Sequence, residues 1–124
     1  MTINYDELSQ QVLDLDPQVR FAGVANVKGE LVTGEQKEDV EKLLSGDDVG
    51  MSIHYGFQKR DFYTNLAYKI GNEISSITEF EKVTMITIPI TSSELFLIST
   101  DLRADHLKII DFTQSLLDSD TKSD

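Results

Sequence analysis

His54 and His106 are the first places to look for acid–base or metal chemistry in this 124-residue chain, because imidazole is the side chain that titrates near neutrality and most often ligates metal. Their setting argues against both roles. They show no i, i+4 pairing, and no carboxylate is placed near both, so they make a weak ligand set. His106 follows Asp105 and marks a helix start, while His54 reads as the polar flank of a helix. The chain has no cysteine, which excludes disulfides, thiolate metal sites and cysteine nucleophiles. The segment Asp118-Ser-Asp120-Thr-Lys122-Ser-Asp124 has the outline of a calcium loop. Lys122 stands where a third ligand belongs, however, and both the turn glycine and the closing glutamate are missing. The seven glycines form no phosphate cradle backed by lysine, so a P-loop is excluded. No serine sits in a nucleophile elbow. The carboxylate pairs Asp14/Asp16, Asp47/Asp48 and Glu79/Glu81 read as solvated surface rather than acid–base machinery. The sequence therefore predicts no catalytic residue, no metal site and no cofactor.

Charge narrows the partners. Twenty-two acidic against eleven basic side chains give a net charge of −11. Nucleic acid and anionic lipid are bound by Lys and Arg meeting phosphate, and neither suits this field. No apolar run approaches the roughly 18 residues of a membrane span. The first residues carry neither a basic region nor an apolar stretch, so the expected location is the cytoplasm. With 40% hydrophobic residues the length suits one domain with a real core. That domain is expected over residues 1–118, with 119–124 a disordered polar tail.

The elements follow from periodicity and punctuation. Residues 4–15 read as a helix capped by Asn4 or Asp6, with Tyr5, Leu8, Val12 and Leu15 on one stripe, ended by Asp16-Pro17. Val19 to Asn26 and Glu30 to Thr33 read as a hairpin about Lys28-Gly29, closed by Gly34. Ala22 and Gly23 are small enough for something to pack closely over the first strand. The acidic stretch 35–48 has an apolar edge of Val40, Leu43 and Leu44 and reads as a short helix ending near Ser45-Gly46. In 51–57 apolar and polar residues alternate as in a strand. A helix over 48–70 explains more, with Asp47 or Asp48 as cap and Gly71 as stop. That helix has two apolar faces: Met51, Tyr55, Phe62, Leu66 and Ile70 on one, Ile53, Phe57, Thr64 and Tyr68 on the other. Residues 74–80 form a third strand. Val83–Ile90 and Glu94–Thr100, joined by Thr91-Ser92-Ser93, are rich in β-branched and aromatic residues and form a hairpin. Pro89 lacks a ladder donor, so its strand lies at an edge or bulges there. A helix over 106–118 buries Ile109, Phe112 and Leu116, flanked by Ile110 and Leu117. The expected fold class is α+β, a single antiparallel five-stranded sheet with flanking helices in the order α-β-β-α-α-β-β-β-α.

This order, with a long helix between a two-strand and a three-strand unit, resembles the Roadblock / dynein-light-chain family and, more broadly, profilin-like sheets. Over about residues 50–112 the sequence is also similar to small proteins of ammonia-oxidising archaea. That likeness lies in Met51-Ser-Ile-His-Tyr55, Asn65-Leu66, Ile70-Gly71, Glu79-Phe-Glu-Lys-Val83, Ile86-Thr-Ile-Pro-Ile90, Leu95-Phe-Leu-Ile-Ser-Thr-Asp101 and Asp105-His-Leu-Lys-Ile-Ile110, and it implies no role. The Roadblock resemblance implies a non-enzymatic module that pairs through the middle helix and neighbouring strand, and whose protein partner is of the small-GTPase kind. On that basis Ile53, Phe57 and Tyr68 are the expected interface of a homodimer, since a helix on one sheet face has little use for two apolar faces. The competing arrangement covers that second face with Val40, Leu43 and Leu44. The alternative function is a PAS-like small-molecule sensor built on a similar sheet.

Overall fold

The structure, a computed structural model, describes residues 4–38 and 40–122, with the backbone alone for residues 119–122. Its elements are α1 (Tyr5–Leu15), β1 (Val19–Asn26), β2 (Leu31–Gln36), α2 (Gly46–Thr64), α3 (Ala67–Ile70), β3 (Ser76–Glu79), β4 (Thr84–Thr91), β5 (Glu94–Thr100) and α4 (His106–Lys122). The five strands form one sheet in the order β2-β1-β5-β4-β3, and every neighbouring pair is antiparallel. The element order is the expected one. Its members differ in two places. The helix expected within 35–48 is absent, because β2 runs on to Gln36 and 37–45 is irregular among the described residues. The long helix splits at Asn65–Leu66 into α2 and α3, so it supplies both middle helices. At its end α4 extends past residue 118 into the expected tail. Ser123 and Asp124 lie outside the described residues.

Strand side chains alternate between two faces. One face, with Ala22, Val24, Ile86, Ile88, Phe96 and Ile98, packs against Leu8, Val12 and Leu13 of α1 and Ile109 and Ile110 of α4. Phe112, Leu116 and Leu117 pack around that core. The opposite face presents Ala25, Leu95 and Leu97 to Ile53 and Phe57 of α2, with Phe21 and Val49 alongside. The fold is thus three layers, helices–sheet–helix.

Local chemistry explains the ends. Asn4 caps α1 by accepting from the Glu7 N–H at 3.0 Å. In the β1–β2 turn Gly29 takes a φ of 83°, a left-handed conformation glycine adopts without steric cost. The Asn26 side chain accepts there from the Lys28 and Glu30 N–H groups. Gly34 does not close the hairpin. It pairs with Gly23, and the Phe21 ring lies across both. A Cβ at Gly23 would sit 2.9 Å from that ring and 2.5 Å from the Thr33 carbonyl oxygen, so the space over β1 is filled by the strand's own aromatic. At Pro89 the β4–β5 register shifts, and the β3 partners reach only Thr87. The missing donor therefore falls in a bulge, beyond the edge strand.

Ser45, rather than Asp47 or Asp48, is the N-cap of α2. Its hydroxyl accepts from the Asp48 N–H at 3.1 Å while the Asp48 carboxylate accepts from the Ser45 N–H at 3.0 Å, a reciprocal capping box. The Ser45 backbone and side-chain hydrogen bonds hold the Asp48 carboxyl below its ordinary range. A depressed carboxyl stabilises the fold above its unfolded pKa, and that contribution is lost as pH falls through the lowered folded value. Ser45→Ala is expected to cost about 1 kcal/mol in urea unfolding at neutral pH. The deficit should shrink on acidification through the carboxyl range, and an unchanged deficit there would remove Asp48 from the cap.

Candidate interaction surface

The residues singled out for chemistry are held apart. His106 opens α4 on one side of the sheet, its Nε2 3.0 Å from the Thr100 hydroxyl, and Asp105 caps that helix by accepting from the Lys108 N–H. His54 is on α2, across the sheet, where its ring rests over Gly29. A Cβ there would come within 2.6 Å of Nε2. The carboxylates are structural or exposed. Asp16 accepts from the Gln18 N–H at 2.8 Å and lies 3.8 Å from Lys108 Nζ, Asp48 belongs to the capping box, and Glu79 and Glu81 are exposed. Among the described residues no three His, Asp or Glu side chains could hold one metal ion. Asp118 is exposed, and the rest of the calcium-loop pattern falls on side chains outside those described.

What the structure builds instead is a helix with two apolar stripes on opposite sides. At 100° per residue, Met51, Tyr55 and Phe62 lie within about 40° of one another and roughly opposite Ile53. Ile53 and Phe57 are 1% and 8% exposed, seated on Ala25, Leu95 and Leu97. Tyr55 and Phe62 are 63% and 68% exposed, and Met51 is exposed with them. The three residues expected at an interface therefore sit in different surroundings. Ile53 and Phe57 are core, because the sheet covers the face assigned to a partner, whereas Tyr68 of α3 stands free at 81% exposure. Val40, Leu43 and Leu44 do not cover that face; they line a groove beside α2. The outward face is the one with Met51, Tyr55 and Phe62. One sequence signal distinguishes the faces. Gly50 and Gly56 flank the Ile53–Phe57 stripe, and a Cβ at Gly56 would meet Leu95 Cδ1 at 3.4 Å, so the glycines mark the side that approaches the sheet.

Past Phe57 the helix leaves the body. Residues 61–66 are all exposed, as are Tyr68, Lys69 and Ile70 of α3. Arg60 anchors the exit by donating to the Thr91 carbonyl at 2.6 Å. Gly71, with φ 86°, ends α3 as the sequence predicts. The chain then runs through exposed Ile74, whose carbonyl accepts from Gln114 of α4 at 3.1 Å, into β3. This four-residue strand pairs with β4 on one side, and among the described residues no strand pairs with its other edge. Ile77, paired with Ile86 on the α1/α4 side, is exposed, and so is Phe80 beyond the strand. An open edge with exposed apolar side chains is a template for strand addition. Beside it lies a groove of about 1250 Å³. Ser76, Thr78, Met85, Leu97 and Ser99 form its floor, and α2 and Leu43 and Leu44 line it too.

Solved structures place this architecture. The Roadblock/LC7 domain from Streptomyces avermitilis superposes with a TM-score of 0.71 at 12% identity, over 94% of each chain. The fold is that of the Roadblock/LC7 domain. MglB with a tetrameric arrangement matches with a TM-score of 0.71 at 13% identity, covering 90% of this chain and 79% of that one. The gliding protein MglB from Thermus thermophilus matches with a TM-score of 0.70 at 13% identity, over 90% of this chain and 80% of that one. No protein-family model and no curated protein matches the sequence. At these identities the likeness carries the Roadblock/LC7 fold and nothing finer. Among the described residues no helix is long and apolar enough to cross a membrane.

Proposed function

We propose that this chain is a non-enzymatic, cytoplasmic module that dimerises and docks a regulatory protein partner. The observation that carries the reading is the outer side of α2, where Met51, Tyr55 and Phe62 are exposed, followed by exposed Leu66, Tyr68 and Ile70 at and in the short α3. Large contiguous apolar surface on a soluble domain marks an interaction site. The open β3 edge lies in the same part of the chain's fold. The similarity to MglB with a tetrameric arrangement supports self-association, and the Roadblock/LC7 fold supports a partner of the small-GTPase kind. The partner is tested by titrating the chain against purified small GTPases loaded with a diphosphate or a non-hydrolysable triphosphate nucleotide. Binding that depends on the nucleotide supports the reading. A panel that shows none removes the GTPase and leaves the dimerising module.

The groove beside α2 favours a second reading, a sensor for a small molecule. Its volume of about 1250 Å³ exceeds what most ligand pockets need, roughly 300–1,000 Å³. A ligand bound to the native state alone would raise the melting temperature in a metabolite screen. A flat screen would leave the groove to the partner.

A further inference from the structure

The sheet has a second edge, at β2, opposite the β3 edge. We infer that β2 docks an extended peptide segment of a partner protein, with lysine or arginine at alternate positions and apolar side chains between them. The segment adds to the sheet as a further strand. This docking does not depend on self-association through α2.

Antiparallel strands alternate hydrogen-bonded and non-hydrogen-bonded pairs. The Lys37 N–H donates to the Arg20 carbonyl at 2.9 Å, and the register continues as Phe21↔Gln36, Ala22↔Glu35 and Gly23↔Gly34. The main-chain groups of Lys37 and Glu35 therefore turn in to β1, and those of Gln36 and Gly34 turn out. Among the described residues no strand meets them, and all of β2 except Thr33 is exposed. Outward N–H and C=O groups two residues apart are what strand addition uses.

The two flanks of this edge differ, and together they select the alternating pattern. On the α2 side Gly34 has no side chain, and the Phe21 ring reaches across it from β1. A Cβ at Gly34 would lie 2.9 Å from Phe21 Cζ and 3.7 Å from Leu31 Cδ1, so an apolar shelf extends to the open edge. On the α1 side Thr33 donates to the Asp6 carboxylate, and Glu35 is exposed beside it. Neither acid pairs with a described cation, because the Lys37 Nζ is turned to the Asp16 carbonyl at 2.8 Å. Exposed Glu30 and Glu38 stand at the two ends of the strand. Opposite charges across a strand pair stabilise it and like charges oppose it, so basic side chains belong on the α1 side and apolar ones on the shelf. The net charge of −11 attracts such a segment at long range.

The probe is acetyl-Lys-Val-Lys-Val-Lys-Val-Lys-amide, titrated into isotope-labelled protein and followed by NMR, beside a twin peptide with glutamate at every lysine. The lysine peptide is expected to bind, more weakly as salt is raised, and the glutamate twin is not. At saturation, hydrogen exchange of the Gly34 and Gln36 amides is expected to slow by about tenfold or more, with the Ile77 amide of β3 unchanged. Gln36→Pro removes an outward donor and no bond to β1, whereas Gln36→Ala keeps the donor and loses only the side chain. With folding checked by circular dichroism, the proline variant is expected to bind about tenfold more weakly, the worth of one hydrogen bond, and the alanine variant within about twofold of wild type. A lysine peptide that fails to bind, that binds no better than its glutamate twin, or that protects β3 instead of Gly34 and Gln36 overturns the inference. So does a folded Gln36→Pro variant that binds like wild type. Should that variant not fold, the exchange measurement on the wild-type chain decides.

Discussion

Replacing Ile53 with alanine is expected to lower the unfolding free energy by about 2–5 kcal/mol, the range for removing most of a buried aliphatic side chain. Ile53 is fully enclosed by Ala25, Phe57, Leu95 and Leu97. The void cannot be refilled cheaply, because Gly50 and Gly56 beside it on α2 carry no side chain to collapse inward. Against a typical total of roughly 5–15 kcal/mol, that loss approaches the stability of the domain. Urea unfolding at fixed protein concentration measures it. A loss under about 0.5 kcal/mol, the surface value, would mean that Ile53 faces a partner, as the sequence alone suggests, and would turn α2 over.

Phe62→Glu should do the reverse. Phe62 packs on neither buried cluster, and its ring meets Tyr63 edge-on at 5.7 Å between centroids. The stability of the separated chain should change by no more than about 0.5 kcal/mol. Self-association should fall much further. Losing one aromatic anchor costs about 2 kcal/mol or more in a well-packed interface. A two-fold interface loses it twice, so the dissociation constant is expected to rise roughly a thousandfold. Sedimentation equilibrium on wild type and variant gives both constants. A variant that unfolds at lower urea yet stays as associated as wild type would place Phe62 in a core and remove the outer stripe from the interface.

How much of this could be read from the residues follows from which forces are local. The β4–β5 hairpin, the α4 core face, the Asn4 cap and the Gly71 stop all rest on period, β-propensity and punctuation, and each is in the structure where it was expected. The segment 35–45 is different. Gly34 has the look of a turn, and only the pairing with Gly23 beneath Phe21 carries the strand through it. The following loop is held by long-range contacts, with Arg20 donating to the Glu41 carbonyl at 3.0 Å and paired with Asp101, and no local pattern encodes them. The break at Asn65–Leu66 is a backbone tightening, the Leu66 N–H donating to the Tyr63 carbonyl at 2.9 Å, which leaves no mark on the apolar period. For the interaction surface, periodicity reveals two apolar stripes on one helix but carries no sign for which is inside. The sign lies in the glycines. Small residues flank the stripe that approaches the sheet, so Tyr55 and Phe62, rather than Ile53 and Phe57, are the outward pair.

The most direct test of a self-associating α2 surface is the solution mass by light scattering after size exclusion, across a dilution series. The expected result is a mass near 28 kDa, twice the 14.0 kDa chain, that persists on dilution and falls to the monomer value in Phe62→Glu. A wild-type chain that stays at 14.0 kDa at every concentration would contradict the account. Met51, Tyr55 and Phe62 would then be surface without a second copy to cover it, and the groove beside α2 would become the first place to look for a ligand.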